Sequence, residues 1–223
     1  MGKAILQRIL NSQSKTVAEI LILLFVVMSV TIFLALSMPS KSLNAPLVLS
    51  GTALIIALVA TGSILVPAVK GAPWVPTSRR LVNKVLAMTE LKPGELLYDL
   101  GSGDGRMVIT AARDFSARAV GVEIDPFRIF YSRLRISHLH LQDRAKIVRG
   151  NFFNISLSAA DVVVLYLEQQ TNNKLQAKLE KELTKPNCRV VSVVWKFEGW
   201  ELIRSDEKEM IYVYKPRPVA KRT

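Results

Sequence analysis

The stretch LLYDLGSGDGR, Leu96 to Arg106, carries an apolar run up to Asp99 and Leu100, then glycine at every second position: Gly101, Gly103 and Gly105. An amphipathic run opens directly after it at Met107. An apolar segment, a glycine turn and a helical pattern in that order read as strand, turn and helix. Glycine reaches positive φ and brings no Cβ, so another molecule can lie against the main chain. A bare strand-to-helix turn needs only one glycine. Three within five residues point to a ligand, which in an open α/β sheet sits at this carboxyl edge, where the strand order reverses.

Outward from the turn, the apolar segments are short and continuous: 95–100, 118–124, 145–150, 161–167 and 189–195. Continuous hydrophobicity marks strands covered on both faces, as in a parallel sheet. Helical patterns lie between them, at 105–115, 126–141 and 169–185. In the last, Leu175, Leu179 and Leu183 share one face and Pro186 ends the run. Residues 199–215 read as two strands around a charged turn, closing the sheet antiparallel. The predicted fold is α/β, a Rossmann-like doubly wound sheet of seven strands.

Two ligand classes compete for the turn. A dinucleotide site uses G-x-G-x-x-G with pyrophosphate at the helix N-terminus. Here Arg106 stands at the third dinucleotide glycine, and Asp99 ends the strand. A carboxylate there sits badly beside phosphates and well beside an ammonium group. Glu123 ends the second strand, where an acid can accept hydrogen bonds from both ribose hydroxyls. Asn151 and Phe152 end the third, placed to meet the edge and the face of an adenine. A ligand with a ribose, a cationic amino-acid end and no phosphate is S-adenosylmethionine.

The first third of the chain has a different character. Residues 20–40 and 42–69 carry no charge, and about 20 apolar residues span a bilayer. Ala53, Ala57 and Thr61 form a ladder of small residues at spacing four, which lets membrane helices pack closely. Two buried helices of a soluble protein would show a polar stripe, which these runs lack. The expectation is an anchoring region over 1–71 with transmembrane helices at about 20–40 and 46–67, followed by a catalytic domain over 72–223. Lys3, Arg8 and Lys15 precede the first run, and Lys70, Arg79, Arg80 and Lys84 follow the second, whereas the connection holds only Lys41. By the positive-inside rule both termini and the globular domain face the cytoplasm, making a multi-pass membrane protein.

The single cysteine, Cys188, excludes an internal disulfide framework, and with only His138 and His140 as histidines no metal site is expected. From Lys70 onward, 26 Lys and Arg stand against 17 Asp and Glu. Much of that excess flanks the uncharged runs or lies in the C-terminal tail. Attraction to anionic headgroups accounts for it without nucleic acid.

The segments DLGSGDGR, VGVEID, GNFF and DVVVLYL resemble the successive motifs of class I S-adenosylmethionine-dependent methyltransferases. Within that superfamily PWVPT (73–77), KPGELLYDLGSGDGR, LYL and RVVS with Trp200 are similar to the small protein-lysine methyltransferases. That group includes archaeal enzymes and membrane-associated mitochondrial ones acting on the ATP synthase c-ring protein and the adenine nucleotide carrier. The resemblance implies that Asp99, Gly101, Gly103 and Gly105 hold the methionine end and Glu123 the ribose. Asn151 stands where many relatives have aspartate. Trp74 and Thr77 become candidate cofactor contacts, with Thr77 alternatively a plain N-cap for the helix after it.

The end of the fourth strand, Tyr166-Leu167-Glu168, should face the transferred methyl group. It lacks N/D-P-P-Y/F, the loop that holds the amino group of a nucleic-acid base. Tyr166 and Glu168 are the candidate catalytic residues, with Trp195 a further aromatic; the alternative is a packed strand end with a solvated glutamate. The expected acceptor is a lysine on a membrane-associated protein. A lipid or quinone, an RNA, and a non-enzymatic tethered scaffold are the alternatives.

Overall fold

The computed structural model describes residues 77–217 and, before them, Ser29, Ser50, Gly51, Ala53, Leu54, Ile56 and Ala57. The chain divides into two compact units, Met1–Val66 and Pro67–Thr223. The described residues of the first unit are all helical. The expected hairpin at 20–40 and 46–67 therefore lies for the most part outside the described residues. Among those that are described, no helix is long and apolar enough to cross a membrane.

In the second unit the elements run α1 (Arg79–Met88), β1 (Leu96–Leu100), α2 (Arg106–Asp114), β2 (Arg118–Glu123), α3 (Pro126–His138) and β3 (Ala145–Arg149). A 3-10 turn (Phe152–Asn154) precedes β4 (Val162–Leu165), α4 (Gln169–Glu182), β5 (Arg189–Val193), β6 (Glu201–Asp206) and β7 (Ile211–Lys215). The strands form one sheet in the order β3-β2-β1-β4-β5-β7-β6. The first five are parallel; β7 is antiparallel to β5, and β6 to β7. Each predicted strand is present with its ends trimmed.

The chain builds outward from β1 through β2 to β3, then returns to lay β4 on the other side of β1. That reversal opens a crevice at the carboxyl ends of β1 and β4, where the glycine turn lies. The core follows the apolar pattern. Val162 to Leu165 are fully buried, as expected of a central strand covered on both faces. Leu175, Leu179 and Leu183 of the α4 region are buried as their shared face predicts.

Local signals set the helix starts. Ser78 caps α1, its hydroxyl accepting from the Leu81 N–H at 3.2 Å, so Ser78 rather than Thr77 is the cap. Asp125 caps α3 by accepting from Phe127 and Arg128 N–H, with Pro126 at the first helical position. Ion pairs Arg80–Glu209, Lys84–Asp206 and Arg204–Glu90 tie the α1 region to the β6–β7 hairpin. Cys188 is buried, and burial, with the nearby Asp161 charge, pushes its thiol pKa up to about 11. Trp200 stacks on Phe197 with ring centroids 4.5 Å apart, and its indole N–H donates to Glu180 at 2.7 Å. It is a packing residue of the β6 side.

Candidate active site

The three glycines of the turn all have positive φ: +82° at Gly101, +55° at Gly103 and +74° at Gly105. Gly105 is the N-cap of α2 in the left-handed conformation, with no side chain to make the cap. The first amide of α2, Arg106 N–H, donates instead to Asp104 Oδ1 at 3.2 Å, so an acid of the turn itself takes up the start of the helix. A Cβ on Gly101 would lie 3.3 Å from the Leu167 side chain, so the turn also fits closely under the end of β4.

The turn rests on a glycine of the VGVEID segment to which the sequence motifs assign no role. Gly121, in the middle of β2, faces Ser102; a Cβ there would sit 2.5 Å from the Ser102 hydroxyl and 2.7 Å from Ile147. Contacts that short force a neighbour to move. A glycine inside a strand was the available signal, since it marks a close approach of another chain segment. The Ser102 hydroxyl it admits is buried and has no hydrogen-bonding partner among the described residues, and Ser102 lines the cleft.

Three carboxylates surround the turn, and they differ in what holds them. Asp104 is gripped by Arg106, at 2.8 and 2.7 Å, and by Arg135. Burial alone would raise its pKa, but the Arg106 hydrogen bonds and charge, joined by the Arg135 charge, hold it below the ordinary value. Glu123 is buried with Oε2 accepting from Gly103 N–H at 2.8 Å and Oε1 from Ile124 and Asp125 N–H at 2.8 and 2.9 Å. Three of its roughly four lone-pair positions are filled. Glu123, the residue expected to meet the ribose, thus also fastens the turn to β2 and has room for about one further donor.

Asp99 is the exception. It is 7% exposed, and burial, then the charges of Glu123 and Asp104, raise its pKa to about 7. No positive group offsets these among the described residues. A buried carboxylate beside two others is a slot for a cation.

Around this centre the cleft is lined by Thr77, Met107, Asn151 and Phe152 among others. Asn151 Oδ1 accepts from Phe153 N–H at 3.0 Å, capping the 3-10 turn. That leaves its amide N–H groups as donors, suited to a ring nitrogen rather than to the exocyclic amine of an adenine. Thr77 lines the cleft as expected, and its carbonyl accepts from Arg106. Arg106, in the place of a dinucleotide glycine, thus straps the segment before α1 to the glycine turn. Trp74 lies outside the described residues.

The other side of the cleft is apolar. Val164, Tyr166 and Leu167 line it from β4 and its end, and Val193 from the end of β5. Tyr166 is half-buried there. Glu168 is not brought to it: it occupies the N-cap of α4, exposed, with no cap hydrogen bond. Trp195 is also absent from the lining. It follows Val194, whose φ of +78° is rare for a β-branched residue, and its carbonyl accepts from the Ser192 hydroxyl.

A doubly wound sheet with a glycine turn at its switch point, acids ending β1 and β2, and the one guanidinium of the turn, Arg106, taken up by Asp104 and the Thr77 carbonyl defines the class I S-adenosylmethionine-dependent methyltransferases. Known proteins agree. Residues 99–204 match the family described as the ANTKMT methyltransferase domain. A protein-lysine N-methyltransferase from Saccharolobus islandicus is 42% identical over 149 residues, 64% of this chain and 92% of that protein. The lysine N-methyltransferase of the ATP synthase c-ring protein in Homo sapiens is 33% identical over 67% of this chain, which spans 64% of the human protein. A crystal structure of an RNA methyltransferase from Salinibacter ruber with S-adenosyl-L-homocysteine is 35% identical, with a TM-score of 0.61 over 67% of this chain and 98% of that one. The chain belongs to this methyltransferase family, and its cofactor is S-adenosylmethionine. The cleft fits that group. An uncompensated Asp99 suits its ammonium, the bare turn suits its polar chain, and the Asn151–Phe152 pair suits its base.

Proposed function

We propose that this methyltransferase acts on the ε-amine of a lysine in a membrane-associated protein, with residues 1–71 anchoring domain 72–223 at the cytoplasmic face of a bilayer. The observation that carries the lysine reading is the apolar acceptor side: Val164, Tyr166, Leu167 and Val193 face a cleft whose carboxylates all lie on the cofactor side. When bound, the cofactor supplies an electrophilic methyl group on a positively charged sulfur. An amine entering between these side chains loses water, and desolvation next to a positive charge lowers its pKa, so it becomes nucleophilic without a general base. Tyr166 supplies a ring and a hydroxyl to direct the nitrogen lone pair, and alignment contributes much of the rate. The names of the Saccharolobus and human relatives point to the same acceptor. Support for the anchor is the pair of uncharged runs with basic residues outside both.

A second reading, an RNA acceptor, is favoured by the likeness to the Salinibacter protein, which is described as an RNA methyltransferase. One experiment separates them: the full chain is incubated with labelled S-adenosylmethionine and its native membranes, with and without total RNA. Methyl-lysine in a membrane-fraction protein after hydrolysis is the expected result. Label confined to RNA or to extractable lipid overturns the lysine reading.

A further inference from the structure

Helix α3 is apolar on both faces. Its inner face buries Ile129, Ser132 and Ile136. Its outer face presents Phe127, Phe130, Tyr131 and Leu134, which are 50%, 68%, 53% and 56% exposed. Their spacing of three, four and seven residues puts them in one stripe along the helix. Exposed apolar residues scattered singly need no explanation, but a contiguous stripe marks a surface that meets something.

Beside the stripe lies a groove of about 520 Å³ between α1, α2 and α3, to which Leu134 and Leu139 contribute an apolar wall. Arg79, Arg106, Arg113 and Arg135 line it, and among the described residues their ion-pair partners are Asp104 and Asp114. The groove is therefore positive. From Pro126 to Gln142 the chain contains no acidic residue.

We infer that the outer face of α3 and this groove form a docking surface for an anionic lipid bilayer. The Phe127–Leu134 stripe enters the headgroup boundary, and lipid phosphates enter the arginine groove. An apolar ridge bordered by cations is the pattern of an interfacial helix, and the charge is complementary to anionic headgroups. A protein or RNA partner would match the charge equally, and the rings of Phe127, Phe130 and Tyr131 offer planes for base stacking; what favours the bilayer is the connectivity of the chain. That argument rests on the anchored reading above. Arg79 lies ten residues beyond Val69, the end of the second uncharged run, a reach of at most roughly 35 Å for extended chain. A domain tied that closely to a bilayer must turn some face to it, and this face carries both apolar and basic groups.

The test uses the full chain with Phe130→Cys, labelled with an environment-sensitive fluorophore; buried Cys188, its thiol pKa near 11, leaves position 130 as the reactive site. The protein is mixed with phosphatidylcholine vesicles, with vesicles of equal parts phosphatidylcholine and phosphatidylglycerol, and with an RNA oligonucleotide. Calorimetric binding of S-adenosylmethionine reports that each variant is folded. The expected result is a blue-shifted emission, quenched by nitroxide lipids, in the anionic vesicles. Arg79→Glu combined with Arg113→Glu should reduce that quenching more than fivefold. An aqueous emission in anionic vesicles, or protection by RNA alone, overturns the inference. Flotation is read separately. A chain that floats with neutral vesicles while position 130 stays aqueous in anionic ones keeps its anchor and loses this surface. A chain that fails to float with neutral vesicles, yet shows the anionic shift, keeps the surface and loses the anchor.

Discussion

The two walls of the cleft are made of opposite materials. On the cofactor wall the ends of β1 and β2 carry Asp99 and Glu123, and Asn151 follows β3; Glu123 and Asn151 are fixed by backbone N–H groups within three residues or across the turn. On the acceptor wall Val164, Tyr166, Leu167 and Val193 offer one hydroxyl among four side chains. A ligand with a fixed amino acid, ribose and base requires particular residues at particular strand ends. An amine nucleophile requires a dry surface and a direction. One wall is specified by identity, the other by shape and polarity.

The largest effect expected on the cofactor wall comes from Asp99→Asn. The folded-state pKa of Asp99 is raised to about 7 from an ordinary 3.8. Ionising it in the unliganded fold therefore costs stability that is absent well below the ordinary 3.8, grows as pH rises through that value, and levels off above about 7. Asp99→Asn should leave stability unchanged at about pH 3 and increase it at pH 8, by on the order of 4 kcal/mol. Cofactor binding has the opposite sign, because an ammonium prefers the ionised form. Affinity of the native chain should rise about tenfold from pH 6 to pH 8, since protonated Asp99 must lose its proton to bind. In Asp99→Asn it should be roughly 10 to 100-fold weaker at pH 8 and flat with pH. Calorimetry across pH and thermal melts check both signs. Equal affinity of the two proteins at pH 8 would remove Asp99 from the ammonium slot.

A smaller effect is expected beneath the same wall. Gly121→Ala must displace Ser102 from 2.5 Å, a cost of about 1–3 kcal/mol for overpacking a tight site. Because Ser102 belongs to the turn, cofactor affinity should fall together with stability. Urea denaturation and calorimetry on one preparation measure the two. A loss of stability with unchanged affinity would show that the turn holds its shape independently of β2.

That contrast also explains which features were legible in the sequence. The parallel strands were visible because each is a continuous apolar run, and the turn because three glycines have no other use at a strand end. Glu123 was placed correctly at the end of β2, but its three backbone donors belong to tertiary geometry, so its part in holding the turn was not legible. Asn151 showed the same limit: the residue was found, the capping use of its oxygen was not. Thr77 and Ser78 adjoin and both cap helices well, so only the bond to Leu81 N–H decides for Ser78. On the acceptor wall, strand-end position suggested both Tyr166 and Glu168. Side chains alternate along a strand only while the strand lasts, and β4 stops at Leu165. Beyond it the helix geometry of α4 governs, and Glu168 turns outward.

The smallest effects sharpen the acceptor wall. Tyr166→Phe keeps the ring in the cleft lining beside Val164 and Leu167 and removes only the hydroxyl proposed to direct the incoming amine. A hydrogen bond of about 1–1.5 kcal/mol converts to a roughly tenfold lower kcat, with cofactor affinity unchanged because Tyr166 lies off the cofactor wall. Glu168→Ala should change kcat by less than about twofold. As the N-cap of α4 it makes no cap hydrogen bond, so little helix stability is lost with it, and its exposed carboxylate is outside the cleft lining. Steady-state turnover on methyl-accepting membranes, with cofactor affinity measured alongside, gives the split. If Glu168→Ala lowered kcat as much as Tyr166→Phe while leaving cofactor affinity intact, the acceptor would have to reach past the mouth of the cleft to the start of α4. The acceptor wall would then be specified by charge after all, and the contrast between the two walls would fail.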